Sequence, residues 1–505
     1  MMAEGKLFKK MLIANRGEIA VRVIRACKEL GIQTVAVYSE ADRAALHVRA
    51  ADEAYSIGHP PSTRSYLSVD KILGVAKKAG CDAIHPGYGF LSERAEFAER
   101  CAQEGVTFIG PNPHAIRVMT NKISSRLVAV EAGVPVVPGT LEKLLNESHA
   151  KEWGEKIGYP LMLKAVVGAG GKGIRKVNQA EDLTAAFRAA QSEARNSFGD
   201  DALYMERYME SPRHVEIQVL SDQHGTIIHC MERERSIERR YQAVIEESPS
   251  TILDDELRNK MGEAAVRIAR AIHCDSAASV EFIVSAKTRE FFFLGMHSGL
   301  SVEHAVTEAI LGIDLCKEMI RIAAGNPLSY RQDEIGIRGH AIECRIYAED
   351  TGNSFLPAFG RIAEVRVPDG PGVRNESGIY QGLDVPVYYD SLLSKLLVWG
   401  STREECIARM RLALSEYVAK GIKTTIPFHE RVMRSEAFIA GDYDTTFVGS
   451  TLAKTDAGRE EHADVALAAA VIKAFRRDRE RELRKPLADA GARVSAWKLS
   501  GRVMS

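Results

Sequence analysis

PLMLKAVVGAGGKGIRKV, residues 160–177, joins two β-like runs through a loop with four glycines in six residues. The loop matches the dinucleotide pattern G-x-G-x-x-G, but that pattern requires a helix after it, and residues 174–177 are β-like. The Walker-A pattern also fails, because Lys172 precedes Gly173 and no Ser or Thr follows. The stretch therefore predicts a β-hairpin flap whose backbone N–H groups, at Gly168, Gly170 and Gly171, cover a triphosphate.

Charged residues accompany this predicted flap. Lys164 ends the strand before the loop, and Lys122 lies upstream in the run TNKISS. Two lysines near a phosphate loop are expected to pair with the charge of a nucleotide. The run YMERYM, residues 204–209, predicts either a strand that hydrogen-bonds an adenine edge through its backbone or a connector between domains.

The first 115 residues predict a different arrangement. Short β-rich runs at 11–14, 34–38, 82–85 and 106–109 alternate with helical patterns at 67–79 and 92–103. In the first helix Ile19, Val23 and Cys27 mark one face. Such alternation predicts a parallel, doubly wound α/β sheet. The turn 15–18 between the first strand and its helix is either a ligand contact or a plain helix entry.

Composition limits the class of protein. The 505 residues carry 67 Lys and Arg against 68 Asp and Glu, which gives no basic surface for nucleic acid or an anionic membrane. No apolar run approaches the roughly 18 residues of a membrane span, and the N-terminus does not resemble a secretory signal. The eight cysteines fit neither a zinc cluster nor a redox dithiol, so we expect buried thiols in a cytoplasmic enzyme.

Several long runs resemble the biotin carboxylase subunit of biotin-dependent acyl-CoA or pyruvate carboxylases, which is an ATP-grasp enzyme. The matching runs are IANRGEIA (13–20), HPGYGFLSE (85–93), PRHVEIQV (212–219), VEH (302–304), RGHAIECR (338–345) and YYDS (388–391). The resemblance covers about residues 7–447. It implies an N-terminal domain at 1–119, an ATP-grasp domain at 120–334 with a mobile lid at about 137–208, an α+β C-terminal domain at 335–450, and a helical tail or connector at 451–505.

The resemblance also implies a reaction and its residues. The family makes carboxyphosphate from MgATP and bicarbonate, then transfers the carboxyl group to N1′ of biotin on a carrier. Glu303 would deprotonate bicarbonate, beside Val302, and Arg374 would stabilise the biotin enolate. Glu281 would bind ATP and magnesium. The implied ATP-binding residues are Lys122, Lys164, Gly168, Gly170, Gly171, Glu206, Arg207, Met209, His214 and Glu281.

Departures from the family pattern cluster at this chemistry. Gly295 occupies the position at which the family has its second magnesium-binding carboxylate. Glu290 and His297 are the candidates to substitute for it, although His suits magnesium poorly. Ala243 and Gly299 occupy the positions at which the family has the lysine and the arginine that bind bicarbonate. Further changes are Ser301 for Gln, Glu238 for Gln, Tyr241 for His and Arg235 for Cys. Two missing cations would slow the reaction severely, because one such donor is typically worth about 10² to 10³ in rate.

Three functions remain open at this point. The chain is a working carboxylase with a rewired pocket, a catalytically silent subunit with a structural or regulatory role, or an ATP-grasp ligase for another small acid. The carrier motif Ala-Met-Lys-Met is absent, so we expect biotin to reside on a separate carrier protein. The resemblance further implies a carboxyltransferase partner and a homodimer.

Overall fold

The computed structural model describes residues 7–167, 172–449 and 471–473. The chain divides into two compact units, one ending at Val448 and the other beginning at Gly449. Of the second unit, the structure describes Gly449 and the helical residues 471–473. The rest of the predicted tail, and the glycines of the predicted flap at 168, 170 and 171, lie outside the described residues.

A parallel five-stranded sheet forms the N-terminal part, as the alternating pattern predicts. Its strand order is β3-β2-β1-β4-β5, and helix α1 buries the predicted face of Ile19, Val23 and Cys27. The elements are β1 Lys10–Ile13, α1 Gly17–Glu29, β2 Gln33–Ser39, α2 Leu46–Ala50, β3 Glu53–Gly58, α3 Val69–Ala79, β4 Ala83–His85, α4 Ala95–Gln103, β5 Thr107–Phe108 and α5 Pro113–Thr120.

The central part contains the predicted hairpin in a separate three-stranded sheet. Its elements are α6 Lys122–Glu131, α7 Glu147–Ile157, β6 Leu161–Ala165, β7 Arg175–Val177, α8 Leu183–Phe198, β8 Leu203–Arg207, β9 Arg213–Ser221, β10 Ile227–Arg239, β11 Gln242–Ser248, α9 Asp255–Ala271, β12 Ala277–Val284, β13 Phe291–Ser298, α10 His304–Leu311 and α11 Leu315–Ala323. Strand β6 pairs antiparallel with both β7 and β8. The strand-loop-strand prediction is therefore confirmed on both sides of the loop.

The C-terminal part adds more strands and a closing helical run. Its elements are β14 His340–Tyr347, β15 Glu349–Asp350, β16 Leu356–Pro357, β17 Gly360–Arg361, β18 Glu364–Arg366, β19 Val373–Ser377, β20 Asp384–Val385, β21 Leu392–Gly400, α12 Arg403–Glu416, β22 Val418–Lys420, α13 Ile426–Arg434 and α14 Glu436–Ala440.

One large sheet joins the central and C-terminal parts. It has eight strands in the order β13-β12-β9-β10-β11-β14-β21-β19. The junction is the antiparallel pair β11 and β14, in which Ile245 lies opposite Cys344. The sheet thus runs across the boundary expected near residue 334, and it brings β10, β12 and the residues after β13 close to β14 and β21.

Two expectations from composition can be compared with the structure. All eight cysteines are free and buried, and the expectation of buried thiols is therefore confirmed. Burial raises the pKa of Cys230, for example, to about 12. Among the described residues, none of the helices has the length and apolarity that crossing a membrane requires.

Candidate active site

The predicted nucleotide residues Lys164 and Glu206 meet on the small sheet. Lys164 on β6 and the buried Glu206 on β8 form an ion pair, and Arg126 from α6 pairs with the other oxygen of the same carboxylate. Arg126 Nη2 also donates to the Val137 carbonyl at 2.7 Å. This arrangement fixes β8 against α6.

Arg126 was not predicted, although the sequence contains a signal for it. It lies four residues after Lys122, and residues at this spacing share a helix face. Lys122 begins the same helix, where burial lowers the pKa of its ammonium although Glu281 acts to raise it. The two lysines and Arg126 therefore give this end of the site a positive charge.

The remaining residues of the run 204–209 contribute differently. The Arg207 N–H donates to the Pro138 carbonyl at 2.7 Å, and the Arg207 side chain is exposed. Met209 is half-buried in the turn after β8. Residues 204–207 of this run lie in strand β8, as the first interpretation expects, whereas the contact with adenine and the role as a connector between domains stay predictions.

Glu281 is surrounded by cationic side chains. Its Oε1 lies 2.5 Å from Arg235 Nη1, 3.3 Å from His214 Nε2 and 3.3 Å from His297 Nε2. Burial acts to raise the pKa of Glu281, but His297 and Arg235 hold it well below its usual range. The carboxylate is therefore ionised, and its Oε1 is shared by three cationic side chains.

The two histidines are each held by a second carboxylate. His297 Nδ1 lies 3.1 Å from Glu93 Oε1, and His214 Nδ1 lies 3.4 Å from Glu238 Oε2. Burial lowers the pKa of His297, but Glu281 and Glu93 outweigh burial and raise it well above its usual value. Burial and Arg235 act to lower the pKa of His214, but Glu238 and Glu281 outweigh them and raise it to about 9. Both imidazoles are thus cationic near neutral pH.

Arg235 connects Glu281 to the predicted base. Besides Glu281, its Nη1 lies 3.3 Å from Glu303 Oε1 and 3.5 Å from Glu216 Oε2. On the other side, Arg345 Nη2 donates to Glu303 Oε2 at 2.8 Å. Burial acts to raise the pKa of Glu303, but Arg235 holds it well below its usual range, and burial raises the pKa of Glu216. Glu303 is an ionised carboxylate between two guanidinium groups.

Three residues lack the charged side chains that the family pattern has at their positions. Gly295 lies opposite Glu281 in the β12–β13 register, and a Cβ at residue 295 would be 3.2 Å from Glu281 Oε2. Ala243 is fully buried on β11, opposite Glu238. Gly299 has φ +79°, a conformation that strains any residue with a Cβ. An arginine at residue 299 would therefore need a different local backbone.

Arg374 lies in a network of ion pairs. Arg374 Nη2 pairs with Glu308 Oε2 at 2.7 Å and also with Glu376. Lys395 Nζ lies 2.7 Å from Glu376 Oε2 and donates to the Val302 carbonyl at 2.6 Å. The predicted residues Val302 and Arg374 are therefore connected through two charged residues that were not predicted.

Lys395 also had a recognisable signal. It is a lone lysine in the apolar strand LLSKLLVWG, and its side chain is fully buried. A buried lysine requires anionic partners, and Glu376 supplies one. Sequence alone could mark this lysine as unusual, but it could not identify the carboxylates brought to it by β19 and β14.

The residues around Glu281 do not fit a magnesium ion. Magnesium needs oxygen ligands in near-octahedral geometry at about 2.0–2.1 Å, whereas Glu281 Oε1 already accepts from Arg235. A divalent ion about 4 Å from the guanidinium would meet repulsion of about 8 kcal/mol at an effective dielectric constant of about 20.

The possible substitute Glu290 does not rescue this site. It lies in the turn before β13, five residues along the chain from Gly295, which is roughly 16 Å in an extended strand. Among the described residues, one group has the spacing of a metal site, namely His304, Glu308 and Glu376. That group is already neutralised by Arg22, Arg374 and Lys395.

The fold and these residues define the architecture of an ATP-grasp ligase. Three family models match the chain: "Biotin carboxylase, N-terminal domain" at residues 7–116, "Carbamoyl-phosphate synthase L chain, ATP binding domain" at 121–331, and "Biotin carboxylase C-terminal domain" at 343–450. The chain is 51% identical to a pyruvate carboxylase subunit of Methanothermobacter thermautotrophicus, over 88% of this chain and 90% of the relative. It is 50% identical to biotin carboxylase 1 of Bacillus subtilis, over 88% and 98%.

Solved structures agree with these relatives. A Campylobacter jejuni biotin carboxylase, described as a β-γ-ATP complex, has a TM-score of 0.86 at 45% identity and covers 88% of this chain and 98% of its own. A Hydrogenobacter thermophilus 2-oxoglutarate carboxylase domain dimer, described with MgADP, ADP and bicarbonate, has a TM-score of 0.86 at 46% identity with the same coverage. The chain belongs to the biotin carboxylase family. It is thus placed among ATP-dependent ligases, in agreement with the resemblance drawn from its sequence.

Proposed function

We propose that this chain is the biotin carboxylase subunit of an acyl-CoA or pyruvate carboxylase, using ATP and bicarbonate to carboxylate biotin on a separate carrier protein. The observation that carries the proposal is the ionised Glu303, held between Arg345 and Arg235 and linked through Val302 and Lys395 to the network of Arg374. An ionised carboxylate can accept the proton of bicarbonate, and the cation Arg374 can offset the charge of a biotin enolate.

In the proposed reaction, nucleotide binds between α6 and the small sheet, where Lys122, Lys164 and Arg126 supply positive charge. Glu303 accepts the proton of bicarbonate, whose oxygen attacks the terminal phosphorus and releases ADP. The resulting carboxyphosphate gives its carboxyl group to N1′ of biotin and leaves as inorganic phosphate, which takes up the N1′ proton, while Arg374 offsets the negative charge of the enolate. Arg235, 3.3 Å from Glu303, is a cation beside the proposed base in a chain that has Ala243 and Gly299 where the family pattern has a lysine and an arginine.

We further propose the organisation that accompanies this activity. The ranges 1–119, 120–334 and 335–450 act as N-terminal, ATP-grasp and C-terminal domains, residues 137–208 as a closing lid, and 451–505 as a connector. The chain works as a homodimer in the cytoplasm with a biotin carrier and a carboxyltransferase. Support comes from the relatives named as carboxylase subunits and from a structure described as a dimer.

A second function is favoured by one observation. Arg235 binds Glu281 and Glu303 simultaneously, so the carboxylates that would handle nucleotide and bicarbonate neutralise a protein side chain instead. Together with Gly295, Gly299 and Ala243, this supports a subunit that binds nucleotide without turnover and acts as a structural or regulatory member of a carboxylase complex.

Phosphate release from ATP by the purified chain separates the two functions. It is measured with and without bicarbonate, and with free biotin or biotinylated carrier, using Glu303→Gln as the matched control. Turnover that requires bicarbonate, increases with biotin and disappears in the control supports carboxylation. Nucleotide binding with phosphate release no faster than in the control contradicts carboxylation and supports the silent subunit.

A further inference from the structure

The carboxylate at residue 281 has a permanent counter-ion inside the protein. Arg235 Nη1 lies 2.5 Å from Glu281 Oε1, and the guanidinium is nine-tenths buried. A guanidinium keeps its charge at every pH at which proteins fold. The cationic half of this ion pair therefore does not titrate, and it occupies one of the two Glu281 oxygens, Oε1.

The same arginine neutralises more than one acid. Glu303 and Glu216 lie 3.3 and 3.5 Å from Arg235 Nη1, and both are buried. Arg235 is thus the shared cation of three carboxylates. Its Nε is buried and has no hydrogen-bond partner among the described residues.

The position opposite Glu281 reinforces this arrangement. Gly295 supplies no oxygen from a side chain, although a Cβ there would lie 3.2 Å from Glu281 Oε2. The nearby His297 is directed at Glu281 by its second contact, to Glu93. Residue 295 therefore contributes no carboxylate to this site. The remaining carboxylate, Glu281, is paired with Arg235 and His297.

We propose that Arg235 replaces the divalent ion at Glu281, so that this chain binds the nucleotide's phosphates without a protein-bound magnesium. The inference rests on the proposed nucleotide site and specifies how that site is charged. Magnesium can still travel on the nucleotide, but its removal should leave affinity nearly unchanged, because the protein contributes an arginine where an ion would be needed.

The test is calorimetric titration of the full chain with ADP, in magnesium and in EDTA. We expect the two dissociation constants of the natural chain to agree within about threefold, equivalent to about 0.65 kcal/mol. The double variant Arg235→Cys with Gly295→Glu regains two facing carboxylates and loses the guanidinium. It should bind ADP at least about tenfold more tightly with magnesium than with EDTA.

Arg239→Cys is the matched control, because it removes an arginine from the same strand whose partner is Glu349, outside the three-acid group. Its ratio between magnesium and EDTA should equal that of the natural chain. If the natural chain binds ADP at least tenfold more tightly in magnesium than in EDTA, the inference is wrong, whereas the proposed function is not affected. Absence of ADP binding in both buffers overturns the proposed nucleotide site together with the inference. The comparison on the natural chain decides the matter even if a variant fails to fold.

Discussion

Arg235 Nη1 and Glu281 Oε1 are 2.5 Å apart, in the interior of the large sheet where β10 and β12 flank β9. Breaking such a buried pair by removing one partner typically costs about 3–5 kcal/mol. Removing one partner alone would therefore destabilise the folded chain, and the pair also determines which charges a ligand meets. Replacing Arg235 alone would disturb both properties, which is why the double variant is the more informative one.

Lys164→Ala should weaken ATP binding by roughly 10- to 100-fold, because hydrogen bonds to charged groups are worth about 1.5–3 kcal/mol. Titration with a non-hydrolysable ATP analogue measures the effect. Lys176→Ala is the matched control, since Lys176 lies on the neighbouring strand β7 with its ammonium over the Tyr208 ring. Equal affinity for Lys164→Ala and the natural chain would remove Lys164 from the nucleotide site.

Gly295→Glu combined with Ala243→Lys should increase the rate of ATP turnover, because it restores an acid beside Glu281 and a cation on β11. Phosphate release is the readout. Gly295→Gln with Ala243→Met, which is similar in size but uncharged, controls for packing at the fully buried Ala243. No gain over that control would mean that the pocket has been remodelled beyond these two positions.

Arg374→Gln should reduce the biotin-stimulated part of phosphate release by about 10²- to 10³-fold, since it removes a cation from a developing negative charge. ADP affinity should not change, because the network of Arg374 contains Glu308 and Glu376 rather than the nucleotide residues. Arg366→Gln, at an exposed arginine on β18, is the control. A parallel loss of ADP binding would indicate a structural rather than a biotin-directed role.

Glu247 predicts how the fold responds to acid. His340 Nε2 and Arg403 Nε each lie 2.7 Å from its Oε2, and although burial opposes them they lower its pKa from 4.5 to about 2. The ionised carboxylate therefore stabilises the folded chain by about 3 kcal/mol above pH 4.5, and this contribution is lost as the pH falls from about 4.5 towards 2.

Urea unfolding at a series of pH values tests this linkage. Glu247→Gln should lower the urea midpoint at pH 7, and its difference from the natural chain should shrink as the pH falls below about 4.5. Glu416→Gln, at an exposed glutamate at the end of α12, should follow the natural chain. A difference that stays constant with pH would contradict the pKa assigned to Glu247.

The N-terminal sheet and the hairpin could be predicted well from the sequence, because local patterns decide them. Ile19, Val23 and Cys27 repeat at helical spacing, and the β-like runs flank a loop that could not be helical. Contacts between residues distant in sequence were harder to predict. The direction of Arg235 depends on Glu281, 46 residues away, and on Glu303, which no pattern within β10 can reveal.

The charged network around Lys395 shows the same limit. A lysine within an apolar strand is unusual, so the sequence indicates that its ammonium needs a partner. The partner Glu376 comes from a different strand, and the Val302 carbonyl comes from the turn after β13. Residue type identifies a group that needs a partner. Only the packing of the strands identifies the partner.

The β11–β14 pair has a consequence for any attempt to separate the halves of this protein. Cutting between them would expose two long strand edges, each with unpaired N–H and C=O groups and apolar side chains such as Ile245 and Ile342. Bare edges of this kind recruit strands from other molecules. Either half alone should therefore tend to self-associate, so the ATP-grasp and C-terminal portions of this chain have to be produced and engineered as one piece.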